Sequence, residues 1–222
     1  MELKTKCLRI ISLNIDQLAL LCDGQSKVNT ALGLTSYKTN RNEDLQAAYR
    51  EMYQNCLSYP KEHLWYTNWQ IFLKDKNISI GSIGFLGTAN DRHEVEIEYS
   101  IHEDYQNKGY ATEAVKALTE WAFSQNVYYI QAQTQPDNEP SKKVLAKCGF
   151  RQMEAKNENL LFELEKPASA WMSIYMCLGM SIGMCFGISF DNIAIGLSIG
   201  VAIGVALGLS LDADDRKKRK RD

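Results

Sequence analysis

The chain has little net charge, no cysteine pair spaced to grip a metal, and almost no charge over one long stretch near its C-terminus. Each lack removes a class of function. A formal net charge of −2 leaves no basic field for a nucleic-acid backbone, and the last eleven residues (six basic, four acidic, so +2) leave −4 on residues 1–211. Nucleic acid is therefore not an expected partner. None of the six cysteines (Cys7, Cys22, Cys56, Cys148, Cys177, Cys185) forms a CxxC pair and no histidine stands close enough to complete a zinc set, so no metal is expected and the thiols read as reduced and cytosol-facing. The N-terminus reads as lacking a signal peptide. From Trp171 to Leu211 the only charge is Asp191, whereas residues 1–166 have the mixed composition of a soluble domain. The division expected is a domain over 1–166, a linker over 167–170, a glycine-rich apolar segment over 171–211 and a charged tail over 212–222.

Within the first domain, Cys7–Ser12 reads as a first strand, and Asn14 or Asp16 opens a helix through Leu21 that ends near Gly24. Residues 25–42 show no period. Apolar residues at helical spacing from Glu43 to Cys56, with Asn42 as cap and Pro60 as stop, give a second helix. Leu64–Leu73 and Ile78–Phe85 are strand-like about a polar turn, and Val95–His102 alternates, setting Glu94, Glu96 and Glu98 on one face and Val95, Ile97 and Tyr99 on the other. Val127–Ala132 reads as a strand buried on both faces, Asn138 and Pro140 start a short helix that stops at Cys148-Gly149, and Phe150–Glu154 with Leu160–Leu164 reads as a closing hairpin.

Between the glutamate strand and the helix expected over Gly109–Phe123 lies Gln106-Asn107-Lys108-Gly109-Tyr110-Ala111-Thr112. In such a turn the first helical N–H groups have no partner within the helix and project together with the positive end of its dipole behind them, which suits a phosphate. Gly109 admits close approach to the backbone, Ala111 keeps the next turn small, and Lys108 adds a cation. In the helix, Ala111, Val115, Leu118 and Ala122 form the stripe expected to pack on the sheet.

The run from Glu96 to Ala114, followed by Asp137-Asn138-Glu139-Pro140-Ser141 and Val144-Leu145-Ala146-Lys147-Cys148-Gly149-Phe150, resembles the acetyl-CoA-binding core of the GNAT superfamily of N-acetyltransferases, nearest the branch of ribosomal-protein alanine acetyltransferases. That resemblance implies an α/β (α+β) domain: a mixed, mostly antiparallel sheet with one splayed parallel pair, flanked by helices. It implies acetyl-CoA as co-substrate and a primary amine acceptor, a protein N-terminus or a small molecule. It sets the splay at Tyr99-Ser100-Ile101, makes the Ile101 N–H a pantetheine or oxyanion contact, and gives the pyrophosphate to Asn107, Lys108, Gly109, Tyr110, Ala111 and Thr112. Asn138 matches a cofactor-contacting asparagine, and Ser141 the position nearest the sulfur. Glu96, with Glu98 second, is the candidate base; the solvated face of a strand is the competing account of both. Glu98 departs from the branch, which has a small glycine there. Leu145 departs from the many members that place a proton-donating tyrosine at that position, leaving Ser141, a water or no acid.

Trp171–Phe190 and Ile193–Leu211 are each close to the length of about 20 residues that spans a bilayer as a helix, so a two-helix membrane hairpin turning at Asp191-Asn192 is expected. Gly179, Gly183 and Gly187, then Gly196, Gly200, Gly204 and Gly208, recur every four residues and resemble a glycine zipper, closing either the hairpin on itself or one copy on another as a homo-oligomer. The basic run Arg216–Arg221 sets the tail, and after two spans the first domain, on the cytoplasmic face of a lipid bilayer. Two further readings stay open: a non-catalytic acyl-CoA-binding or sensing module, suggested by Leu145 and Glu98, and a membrane oligomer built on the glycine ladders with a degenerate domain.

Overall fold

In the computed structural model, which describes residues 1–33, 43–153, 158–167, 171–189 and 191–219, the chain divides into two compact units, Met1–Glu165 and Lys166–Asp222. The first is built on a mixed sheet whose described strands are β1 (Glu2–Lys4), β2 (Leu8–Ser12), β3 (Trp69–Leu73), β4 (Ile78–Phe85), β5 (Glu94–Ile101), β6 (Tyr129–Thr134), β7 (Arg151–Gln152) and β8 (Leu160–Glu165), in the order β1-β2-β3-β4-β5-β6-β8-β7. Neighbours are antiparallel except β5 and β6, which run parallel. The expected mixed sheet with one parallel pair is the one observed.

The alternation in β5 sends Val95 and Ile97 into the main core with Ile83, Phe85, Ile130 and Phe162, where helix α5 (Tyr110–Ser124) lays Ala114, Val115, Leu118 and Ala122. A second cluster, Leu13, Leu18, Leu21, Val28, Tyr49 and Cys56, joins α1 (Ile15–Asp23), α2 (Gln25–Ala31) and α3 (Glu43–Ser58). Asn14 caps α1 by accepting from the Gln17 N–H, and Gly24 ends it, as the sequence indicates. The Asn42 cap expected for α3 lies outside the described residues, as does most of the turn before β8.

Four expectations need correction. Helix α2 arises in the stretch without a period, because polar groups hold much of it: Gln25 bridges Asn29 and Gln70 at 3.0 and 2.9 Å, and no apolar stripe announces that packing. The first part of the Leu64–Leu73 strand is instead a helical turn, α4 (His63–Tyr66), because it seats Trp65 against Trp121 and Phe85 at 4.7 and 5.0 Å between ring centroids. In β6 only alternate residues are buried, Ile130, Ala132 and Thr134, so the strand is covered on one face rather than two. In α5 Ala111 is half-exposed while Ala114 and Trp121 are buried, shifting the buried stripe away from the helix start.

Glu113 fastens the first turn of α5 to the N-terminal strands, its carboxylate accepting from the Thr5 hydroxyl and the Cys7 N–H. Burial opposes ionisation, but these donors outweigh it and hold the carboxyl below the usual glutamate range. Glu113→Ala is expected to cost about 1–3 kcal/mol in urea unfolding by leaving those donors unmatched. Because the ionised form is the one held, the contribution is complete above the ordinary glutamate pKa and fades as pH drops through the lowered value. Equal wild-type and variant midpoints at pH 7 would refute it.

The second unit is a helical hairpin of α7 (Trp171–Ser189) and α8 (Ile193–Arg219). Its glycines meet backbone: a Cβ on Gly200 would overlap the Gly179 carbonyl, one on Gly183 the Gly196 carbonyl, and one on Gly208 the Met172 Cα. The ladders therefore close on one another within the chain, the first of the two pairings the sequence leaves open. Asp191 takes a positive φ of 53° in the turn, Asn192 caps α8 through the Ile195 N–H, and at the other end Asp212 accepts from the Met172 N–H. Helix α8 runs on to Arg219, so the expected tail begins as helix.

Candidate active site

The site begins where a ladder stops. β5 and β6 pair only over Glu94–Tyr129, Val95–Ile130 and Glu96–Gln131, after which β5 follows β4 to Ile101 and β6 follows β8 to Thr134. Along β5 the groups bonded to β4 fall on even residues: Leu86 N–H donates to the Glu96 carbonyl and His102 N–H to the Ile80 carbonyl. Backbone groups alternate between the two sides of an antiparallel strand, so those of Tyr99 and Ile101 are turned from β4 toward the gap β6 has left. The opening lies where the resemblance sets it.

A cleft of about 360 Å³ occupies this opening, walled by Tyr99, Ser100 and Ile101 of β5, by Gln106, Asn107 and the start of α5 (Gly109, Tyr110, Ala111, Thr112), and by Asn138, Pro140 and Ser141 at the start of α6 (Glu139–Lys147). Gly109 is the N-cap of α5 in the left-handed region at φ 85°, and no side chain caps the helix there. A Cβ on Gly109 would meet no atom within 4 Å, so the glycine serves backbone conformation and open approach to the N–H groups rather than packing. Asn107 also takes a positive φ, 60°, which turns the chain into the helix. Gln106 Nε2 donates to the Ile101 carbonyl at 2.9 Å and ties the loop to the strand end.

Of the residues named from sequence, Ile101, Asn107, Gly109, Tyr110, Ala111, Thr112, Asn138 and Ser141 line this one cleft. Lys108 does not: its Nζ donates to the Asp104 carbonyl at 2.7 Å and sits 5.2 Å from the centre of the Tyr105 ring. The cations on the cleft wall are Lys143 and Lys147, one turn apart on α6. Their i, i+4 spacing was visible in the sequence, but the face they share was not. Asn138 spends its side-chain oxygen on the Ser141 N–H at 3.1 Å, capping α6. Leu145 is fully buried and belongs to the core. His102 caps a 3₁₀ turn (Glu103–Tyr105), in keeping with a turn residue.

Glu96 and Glu98 project from the opposite face of β5. Although Glu98 reaches solvent, its surroundings partly desolvate the carboxyl and, with the Glu96 charge as second cause, raise its pKa above the usual glutamate range. Burial, and after it the Glu98 charge, raises the Tyr49 phenol on α3, so these two side chains are near enough to interact. Tyr99 is the residue the sequence reading missed. Its alternation set it on the face of Val95 and Ile97, and its ring does pack on the core, but its Oη lies 2.9 Å from Ser141 Oγ.

This arrangement fits a nucleotide thioester: a helix start with no side-chain cap for phosphates, a strand edge for an amide-bearing arm, and hydroxyl and carboxylate groups on opposite faces of β5. Residues 13–151 match the family model for the acetyltransferase (GNAT) domain, and residues 166–214 match the model described as glycine zipper membrane protein. Among curated relatives, the uncharacterized N-acetyltransferase YnaD of Bacillus subtilis is 40% identical over 82 residues, 36% of this chain and 48% of that one. The uncharacterized N-acetyltransferase p20 of Bacillus licheniformis is 32% identical over 106 residues, 47% of this chain and 57% of that one. The chain thus spans about half the length of the curated relatives it matches. Among solved structures, the ribosomal-protein-S5-alanine acetyltransferase of Vibrio fischeri aligns with 75% of this chain and 100% of its own at a TM-score of 0.55 and 19% identity. RimJ of Mycobacterium smegmatis, solved with CoA-disulfide, aligns with 74% and 86% at 0.53 and 15%. These two likenesses concern the fold. With the family model covering 139 of 222 residues (13 to 151) over the sheet and cleft just described, the chain belongs to the GNAT acetyltransferase family.

Proposed function

We propose that this protein is an acetyl-CoA-dependent N-acetyltransferase that acetylates a primary amine, held at a membrane by its C-terminal hairpin. The observation that carries the reading is the end of the β5–β6 ladder at Glu96 and Gln131, opening a cleft against the uncapped start of α5. Acetyl-CoA, when bound, supplies an acyl group already activated as a thioester. The first N–H groups of α5 hold its pyrophosphate, with Lys143 and Lys147 adding positive charge, while the turned-out backbone of Tyr99 and Ile101 binds the pantetheine arm and donates to the oxygen that becomes negative. Glu98 takes the proton from the acceptor ammonium. Supporting Glu98 over Glu96 are its position beyond the last paired residue and its raised pKa, a shift in the direction that strengthens a general base. Ser141 gives a proton to the departing sulfur.

Support for the anchor comes from the outward surface of the hairpin, where Ile182, Phe186, Ile188, Ile195 and Ile203 are exposed. The Ser181, Ser189 and Ser198 hydroxyls donate to carbonyls four residues back in their own helix, as hydroxyls facing hydrocarbon must. Trp171 and Tyr175 pair at the end that carries the basic run, a composition suited to the interface, and positive charge favours the cytoplasmic side.

The test uses residues 1–166 with and without acetyl-CoA, then an amine library read by mass spectrometry. Acetyl-CoA is expected to raise the melting temperature, and at least one amine to gain an acetyl group. No thermal shift at millimolar ligand would overturn the reading; a shift without transfer to any peptide N-terminus, polyamine or small amine would favour a binding module.

A further inference from the structure

Tyr99 and Ser141 stand 42 positions apart in the chain, on β5 and α6, yet their side-chain oxygens meet at the cleft wall. Any catalytic part for this pair rests on the acetyl transfer proposed for the chain. That reaction breaks a C–S bond and leaves the electron pair on sulfur, which needs a proton. Leu145 has none to give, and the donor proposed above is Ser141, which stands on the cleft wall. A serine hydroxyl carries one proton on a freely rotating bond, and its neighbour decides where that proton points.

The neighbour here is the Tyr99 phenol, 2.9 Å from Ser141 Oγ and 3.3 Å from the Ser141 carbonyl oxygen. Two arrangements satisfy these distances. If the phenol donates to the carbonyl, Ser141 can spend its own proton on the phenol oxygen. If the phenol donates to Oγ, the serine proton is turned out of the pair and into the cleft. We infer that Tyr99 is a positioning residue: by donating to Ser141 Oγ it aims the serine proton at the sulfur of the departing thiolate. As the C–S bond breaks, the serine proton forms the S–H bond, Oγ takes the phenol proton, and the phenol oxygen regains one from solvent, balanced by the ammonium proton that Glu98 took and then releases to solvent. Burial raises the Tyr99 pKa, with the Ser141 bond opposing it, so the phenol keeps its proton at neutral pH. Its ring is held by the core, which keeps the oxygen in place.

The experiment is a double-mutant cycle in the full chain, with acetyl-CoA and the best amine found in the library. Tyr99→Phe is expected to lower kcat about tenfold, less than the roughly 10²- to 10⁴-fold of a full proton-transfer contribution because the serine proton itself remains, while KM for acetyl-CoA stays within about twofold. Ser141→Ala should lose at least as much, and the double variant should be no slower than Ser141→Ala, because the tyrosine acts only through the serine. Losses that multiply, or a Tyr99→Phe change confined to KM, would overturn the inference while leaving the transferase reading intact. A wild-type chain that binds acetyl-CoA and acetylates nothing would overturn both. Should Tyr99→Phe fold poorly, Tyr99→His keeps a ring donor and is expected to retain more turnover than Tyr99→Leu; equal loss in both would equally refute the role.

Discussion

Glu98→Gln is expected to lower kcat for acetyl transfer by about 10²- to 10⁴-fold, the usual worth of a general base, with the dissociation constant of acetyl-CoA unchanged. The second half follows from position: Glu98 projects from the face of β5 opposite Tyr99, and no part of it lines the cleft. Steady-state rates and calorimetric titration of acetyl-CoA separate the two effects. The pH profile gives a second readout. The base works ionised, so activity falls as pH drops through its pKa, and that acidic limb should lie above the ordinary glutamate range. Burial is the larger cause of the shift and the Glu96 charge the smaller, so Glu96→Gln should move the limb toward lower pH while sparing kcat above it. Undiminished turnover in Glu98→Gln, with a collapse in Glu96→Gln, would transfer the role to Glu96.

Gly200→Leu is expected to force α7 and α8 apart. A Cβ at Gly200 overlaps the Gly179 carbonyl and comes to 2.8 Å from the Gly183 Cα, and both are backbone that cannot rotate away. The seam must widen toward the interaxial spacing of about 8–10 Å at which helices pack through ordinary side chains. Spin labels at Ile182 and Ile199, both outward-facing, would report the change in detergent or bilayer. Ile203→Leu, on the exposed surface, is the control and should leave the distance unaltered. An unchanged distance in Gly200→Leu would mean that the glycines are not what holds the hairpin closed. The pairing of the ladders within one chain comes from the contacts themselves.

Departures from the sequence reading have a common cause. Helix α2 was invisible because hydrogen bonds from Gln25 to Asn29 and Gln70, rather than a hydrophobic stripe, fix it. Helix α4 was hidden inside a β-prone run because Trp65 finds its ring partners on elements 20 and 56 residues away, at Phe85 and Trp121. Lys108 looked like the phosphate cation because it adjoins Gly109, yet the loop turns its side chain back onto Asp104 and Tyr105, and α6 brings Lys143 and Lys147 to the wall instead.

By itself the sequence determined what depends on near neighbours along the chain: the glycine turn that starts α5, the in-and-out alternation of β5, the Asn138 cap and proline that open α6, and the four-residue glycine ladders. Backbone sterics and periodicity act over a few residues, so they can be read from a few residues. Only the tertiary structure decided where β6 leaves β5, which lysines border the gap, how burial and Glu96 together bias Glu98, and that Tyr99 meets Ser141. Those outcomes depend on the register and packing of elements far apart in the chain, where a one-residue slip would turn every side chain of a strand to its other face.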